Sequence, residues 1–505
     1  MLFNSYAFIF AFLPVCLIGY VLLGRAGGQW PVLWLGAMSL VFYSVSGPAL
    51  VWLLAGSIIL NFSAGYFIVK ARKPGALISA KSITALAIAA DLAALGYYKY
   101  AGFFLANVTQ AFGLSPSTWS VVLPVGISFY TFTQIAFLVD CYVGKVKKTG
   151  LPEYVLFVSY FPHLIAGPIL HHAEMIPQFN RPNAARFSYR NFSTGTAIFI
   201  IGLAKKILLA DALAPYADMV FNSTSSLSFA DAWFGALAYT LQLYFDFSGY
   251  CDMAIGISLM FNIELPLNFY SPYRAASIVD FWRRWHMTLS RFLRDYLYIP
   301  LGGNRSGHSR RYVNLMITMM LGGLWHGAEW TFVVWGTIHG CYLLINHAFR
   351  KNAPRWLAAL FGVQAVGVIL TFFCVVVAWV FFRAPTIEAA LHILRSMAGF
   401  GIAWNITAPQ LVNERYFAFA LLILSLVIVF ACPNVQQIFR LPFHPVVSGS
   451  DAKQGGYPTL EPDSRQIERL RMFLGSASGA VLLGVLFGVS VLLFFRTTRF
   501  LYFQF

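Results

Sequence analysis

Long apolar runs separated by short polar breaks make up most of this chain. They lie at 6–24, 30–46, 48–70, 76–98, 121–143, 154–170, 191–210, 228–262, 312–348, 357–382, 416–433 and 474–495. A helix crosses a bilayer with about 20 apolar residues, so the pattern predicts an all-α integral membrane protein of about ten to twelve tilted crossings. The runs at 228–262 and 312–348 exceed one crossing and are expected to hold a long tilted helix or a helix pair. Pro124-Val125-Gly126 and Ala166-Gly167-Pro168 interrupt their runs. Broken helices persist at membrane depth only where protein or a water-filled cavity satisfies the freed backbone groups, so re-entrant pieces around a cavity are expected. There is no internal repeat, and 434–472 is the only long polar insertion, so 1–505 reads as one polytopic membrane domain.

Composition sharpens this picture. The chain is 59% hydrophobic and only 11% charged, too few charges to cover a water-soluble globule of 505 residues. The N-terminus is apolar from its first residues and lacks a basic leader, so it is expected to be a retained span. Lys and Arg total 35 against 19 Asp and Glu. In a membrane protein such an excess marks cytoplasmic loops and anionic lipid headgroups. The charges lie between spans and build no basic domain, which argues against nucleic acid. Lys70, Arg72 and Lys73, then Lys145, Lys147 and Lys148, then Lys453, Arg465, Arg469 and Arg471 mark three cytoplasmic segments. The C-terminus is then expected outside, although Arg496 and Arg499 run against that placement. The six cysteines form no CxxC pair and imply neither a metal site nor a disulfide framework.

Ionisable residues inside apolar segments are candidates for function. His326 stands in Leu321-Gly322-Gly323-Leu324-Trp325-His326-Gly327-Ala328. A histidine buried there stays neutral and offers a ring nitrogen as general base, and the glycines allow a substrate or another backbone to approach. The alternative is a histidine hydrogen-bonded within the bundle. A second stretch, Phe281 to Tyr298, carries Trp282, Trp285, Leu289, Leu293 and Tyr296 on one helical face, with His286 one turn before Ser290. Its Arg283, Arg284, Arg291 and Arg294, followed by Asn304 and Arg305, suit the phosphates of a donor such as coenzyme A, or else an amphipathic helix on anionic lipid. A third, Tyr244 to Asp252, places Asp246, Ser248, Tyr250 and Asp252 in an apolar run, where the carboxylates must be paired or hydrogen-bonded, and the arginines of the second stretch are their expected partners. The fourth holds His163, a candidate cavity-lining residue, and the adjacent His171 and His172, which diverge on a helix and argue against zinc. His339 is a further candidate to line the cavity.

Taken together, Leu123 to Phe132, Ile165 to Pro168, Tyr244 to Tyr250, Phe281 to Tyr298 and Leu324 to Gly327 resemble the membrane-bound O-acyltransferase (MBOAT) family. The likeness extends to its bacterial branch of alginate O-acetyltransferases, peptidoglycan O-acetylating proteins and D-alanyl transfer proteins. It implies a ring of tilted helices around a central tunnel, with His326 at the position of the family histidine and His286 at that of the second histidine. It also implies an acyl group taken from a cytoplasmic donor and passed to the other side. The ending Phe500-Leu501-Tyr502-Phe503-Gln504-Phe505 resembles an aromatic motif of this branch whose tyrosine carries the acyl group; here that is Tyr502. The alternative is an aromatic anchor at the interface.

The resemblance leads to an expected reaction. Acetyl-CoA, a substrate and not a bound cofactor, docks on the arginine-rich 281–311 region, and Tyr502 attacks its thioester with His326 as base. A phenol ionises only at about pH 10, which is why a base is needed. An extracytoplasmic SGNH-hydrolase-like partner then passes the acetyl group to a polysaccharide such as alginate. The expected location is the bacterial inner membrane. The alternatives are transfer of D-alanine or another acyl group from a carrier protein, and a polytopic transporter, which would often show the repeat that is absent here.

Overall fold

The structure, a computed structural model, describes residues 1–45, 47–73, 77–115, 121–146, 149–223, 226–305, 307–354, 363–401, 403–441, 464–496 and 500–501. Tyr502, Lys147, Lys148, Lys453 and Arg499 of the expectations above lie outside this set. The described residues are overwhelmingly helical and contain no strand. Among the described residues four helices are each long and apolar enough to cross a bilayer: Phe8–Ala26, Pro48–Ala71, Ala80–Ala111 and Gln364–Arg383. Arg465–Leu474 and Ala477–Leu492 form a broken pair bent by 75°. The bend is built from small residues: a Cβ on Gly479 would lie 2.1 Å from the Phe473 carbonyl, and Ser476 caps the new helix through the Gly479 N–H. Trp30–Ser44, Ile127–Val143 and Arg415–Ala431 are shorter apolar helices. Large apolar side chains such as Trp52, Phe104, Ile369 and Tyr416 point outward, as a lipid-facing surface requires.

The described chain forms two compact units: residues 1–199 with 253–266, and residues 200–252 with 267–441 and 464–501. In the first, the two expected interruptions pack on each other. Gly126 has φ +75°, and a Cβ there would stand 2.7 Å from the Leu164 carbonyl; Tyr43 donates to the Val125 carbonyl at 2.9 Å. These freed backbone groups are met by protein. A polar lane braces the same unit, with Asn61 donating to Asp91 at 2.8 Å and Gln134 to the Ser57 hydroxyl at 2.7 Å.

In the second unit the 312–348 run is a hairpin of two helices, His308–His326 and Trp330–Asn352. Glycine sets their separation. A Cβ on Gly323 would lie 2.2 Å from the Phe332 carbonyl, and one on Gly336 would lie 2.3 Å from the Met319 carbonyl. With little hydrophobic drive between helices in lipid, such close backbone packing is what holds membrane helices together. The 228–262 run, by contrast, is one helix of 32 residues, Phe229–Met260.

The 281–298 stretch departs from expectation. It is two short helices, Ile278–Arg284 and Met287–Leu293, the second running on into a π-helical turn at Arg294–Tyr298, with His286 between the two in the left-handed region at φ +44°. The returning segment takes up the backbone groups that the break frees: the Tyr270 N–H donates to the Arg284 carbonyl, and the Met287 N–H to the Asn268 carbonyl. Trp282 therefore shares no helical face with Leu289 and Leu293, and the four arginines are divided between separate pieces.

Candidate active site

The break at residue 286 is what aims the second histidine. Asn268 Oδ1 accepts from the Thr288 N–H at 3.3 Å and from the Thr288 hydroxyl at 3.0 Å, and lies 3.1 Å from His286 Nδ1. An oxygen that receives a backbone N–H is an acceptor, so Nδ1 of His286 carries the proton and donates to it. In the neutral ring the lone pair is then on Nε2. Asn268 thus holds both the tautomer and the orientation of a fully buried imidazole.

His326 is the last residue of its helix and is buried. Its ring centroid lies 6.3 Å from that of His286. Trp325 at 4.9 Å, Trp335 at 5.2 Å and Phe382 at 5.2 Å surround it edge to face. Trp335 stacks on Trp379 at 5.5 Å and meets His339 at 4.9 Å. His339 is fully buried between Phe281, Trp282 and Trp335, with neither ring nitrogen hydrogen-bonded among the described residues. The glycines beside His326 serve the protein's own packing. A Cβ on Gly327 would stand 2.0 Å from the Phe332 ring. Two imidazoles in an apolar aromatic wall, one with a defined tautomer, can accept and return a proton away from bulk water.

The carboxylates of the third stretch are paired by lysines, which corrects the expectation of arginine. Lys205 Nζ lies 2.6 Å from Asp252 Oδ2, whose other oxygen accepts from Gln436 at 3.1 Å. Lys206 Nζ lies 2.6 Å from Asp246 Oδ1 and 2.7 Å from Asp211 Oδ1. Gly249 permits this approach, because a Cβ there would be 2.7 Å from the Gly202 carbonyl. Asp246 Oδ2 accepts from the Leu501 N–H at 3.0 Å. Phe500 stands under Lys206 at 4.8 Å and against Tyr250 at 4.9 Å. Ser248 is buried in the same helix.

The remaining candidates are more scattered. Arg284 is paired with Asp280 at 3.0 Å and Arg294 with Asp295 at 2.7 Å. Arg291 is buried, whereas Arg283 and Arg305 are exposed. Asn304 accepts from the Tyr298 hydroxyl. His163 belongs to the first unit, where its Nε2 lies 2.9 Å from the Phe157 carbonyl. The residues that sequence reasoning missed are Lys205, Lys206, Asp211, Asn268 and Trp335. Among the described residues no cluster of three metal-ligating side chains occurs.

The sequence pattern of MBOAT, the membrane-bound O-acyltransferase family, matches residues 114–385, which contain both histidines, Asn268 and the lysine–carboxylate groups. The chain is 45% identical over 433 residues to a peptidoglycan O-acetyltransferase of Helicobacter pylori, covering 79% of this chain and 80% of that protein. It is 41% identical over 452 residues to a probable alginate O-acetylase AlgI of Pseudomonas aeruginosa, covering 88% and 83%. A teichoic acid D-alanyltransferase of Streptococcus thermophilus is more distant, at 27% over 52% of this chain and 69% of that protein. The buried histidine pair, the apolar helices and these matches together assign the chain to the membrane-bound O-acyltransferase family, as an integral membrane acyltransferase.

Proposed function

We propose that this protein transfers acetyl groups from acetyl-CoA, on the cytoplasmic side of a bacterial inner membrane, toward the hydroxyls of an extracytoplasmic polysaccharide such as alginate or peptidoglycan. The observation that carries the chemistry is the pair His286 and His326, 6.3 Å apart within an aromatic wall. The relatives named for O-acetylation match at 41–45% identity, against 27% for the D-alanyltransferase, which favours acetyl over D-alanyl transfer.

In this reading the phenolic oxygen of Tyr502 attacks the acetyl carbonyl. The C–O bond forms as the C–S bond breaks. The phenol proton passes to His326 and from there to the departing thiolate, which leaves as coenzyme A. His286, with its tautomer set by Asn268, orients the reacting groups. Exposed Arg283 and Arg305 are the guanidinium groups open to the donor phosphates, since Arg284 and Arg294 already hold carboxylates. The aryl ester then passes its acetyl group to the serine of a hydrolase-like extracytoplasmic partner, and so to the polysaccharide. The test is polysaccharide O-acetyl content in cells whose only copy is His326→Ala. The reading expects it to vanish with protein levels unchanged; undiminished O-acetylation refutes the reading.

A further inference from the structure

We infer that the buried triad Lys206–Asp246–Asp211 is a docking clamp for the C-terminal segment, and that Lys206 and Asp246 are positioning residues for the acyl carrier. The inference rests on the relay reading for its functional consequence but not for the docking itself.

The clamp is built on both main-chain and ring contacts. Asp246 turns one oxygen to Lys206 at 2.6 Å and the other to the Leu501 N–H at 3.0 Å. Lys206 holds that carboxylate in register and also stands over the Phe500 ring at 4.8 Å. Tyr250, one helical turn after Asp246, meets the Phe500 ring edge to face at 4.9 Å. Phe500 and Leu501 are both buried, and a charged buried group ties the Leu501 main chain.

Electrostatics favours the docked state. Lys206 meets both Asp246 and Asp211 in a buried place, and the Leu501 main-chain N–H supplies a donor to the second oxygen of Asp246. A segment that withdraws takes this donor away and leaves a desolvated carboxylate oxygen behind. The clamp grips the backbone of residue 501, so its hold depends on an N–H and not on the leucine side chain. Tyr502 is the next residue, its Cα one peptide unit, about 3.8 Å, from that of Leu501. Phe247, the residue after Asp246, has its ring 4.9 Å from that of His286, so under the relay reading a hold on Leu501 tethers the chain beside the histidines and raises the effective concentration of the residue that follows it.

The experiment uses the full-length protein in nanodiscs and compares wild type with Leu501→Pro, Leu501→Ala and Asp246→Asn. Proline removes the N–H, alanine keeps it, and asparagine keeps an acceptor oxygen without the charge. Carboxypeptidase trimming followed by intact mass reads docking without any chemistry. Wild type and Leu501→Ala should stop at residue 501, while Leu501→Pro and Asp246→Asn should be trimmed past it at least tenfold faster. In parallel, acetylation of Tyr502 from acetyl-CoA should lose roughly tenfold in kcat in Leu501→Pro, the worth of about one hydrogen bond, with donor KM unchanged. Equal trimming of all four proteins overturns the clamp. Selective trimming with no acetyl on Tyr502 in wild type upholds the clamp and defeats the relay. Selective trimming with full acetylation kcat in Leu501→Pro overturns the positioning role.

Discussion

The imidazoles of His286 and His326 lie 6.3 Å apart, centroid to centroid, with their planes tilted by 58°, and Trp325 stands against both, 6.1 Å from the first and 4.9 Å from the second. Both residues stand at helix ends. His286 sits in a left-handed break, and His326 ends its helix at a glycine. The two buried imidazoles thus meet where two helices stop.

The two histidines should respond differently to substitution. His326→Ala is expected to lower acyl transfer by roughly 100- to 10,000-fold, the range for loss of a general base, with little change in donor KM. His286→Ala should cost less in rate and more in stability, because it strips a donor from the buried Asn268 carbonyl. Steady-state kinetics and thermal unfolding of both variants in one lipid mixture check this.

Asn268 is a second point of attack. Asn268→Ala removes the acceptor shared by His286 Nδ1, the Thr288 N–H and the Thr288 hydroxyl. It should destabilise the protein by about 1–3 kcal/mol, the penalty of buried donors left unmade. Asn268→Asp keeps the acceptor and should retain more activity than alanine. An unchanged unfolding temperature for Asn268→Ala would count against the tautomer lock.

Packing of the His326 hairpin predicts a graded glycine series. Gly323→Ala and Gly336→Ala set a Cβ against backbone oxygens at 2.2 and 2.3 Å and must push the two helices apart. Misplacement of catalytic groups by about 1 Å can lower rates by roughly 100-fold, and a loss of that order is expected here. Gly322→Ala meets only the tip of Leu293 at 3.1 Å and should stay close to wild type. Transfer rates for the three variants, at matched folded yield, decide the matter.

Lys205 and Asp252 offer a stability test away from the histidines. Removing one partner of a buried pair leaves an uncompensated charge and costs about 3–5 kcal/mol. Asp252→Leu alone should therefore lower folded yield sharply, and Lys205→Met with Asp252→Leu should recover most of it. Fluorescence-detected size-exclusion profiles of the single and double variants report this directly.

Much of the fold was legible because apolar run length is a strong signal: the helical membrane class and the helices beginning near 8, 48 and 364 follow from it. His326, His286 and Asp246 stood out because a polar group in an apolar run must be explained. The helix break at 286 was not legible. Aromatic spacing through 282–296 fits a single helix, and the returning 268–270 segment, which shows no periodicity, pairs the freed backbone groups, donating to the Arg284 carbonyl and accepting from the Met287 N–H. Lys205 and Lys206 lie inside the apolar run at 191–210 and drew no reading of their own: Asp246 and Asp252 lie 40 residues or more further on, and the nearby Asp211 that also pairs Lys206 stands just past the end of that run. Asn268 was silent for the same reason: its three donors come from a chain segment that only the tertiary fold brings near.

The most direct measurement is intact mass of the purified protein after incubation with acetyl-CoA, followed by mapping of the C-terminal peptide, for wild type and His326→Ala. The account predicts one acetyl adduct on Tyr502 in wild type and none in the variant. An adduct that persists in His326→Ala, or a competent wild type that O-acetylates its acceptor while Tyr502 stays unmodified, would contradict it.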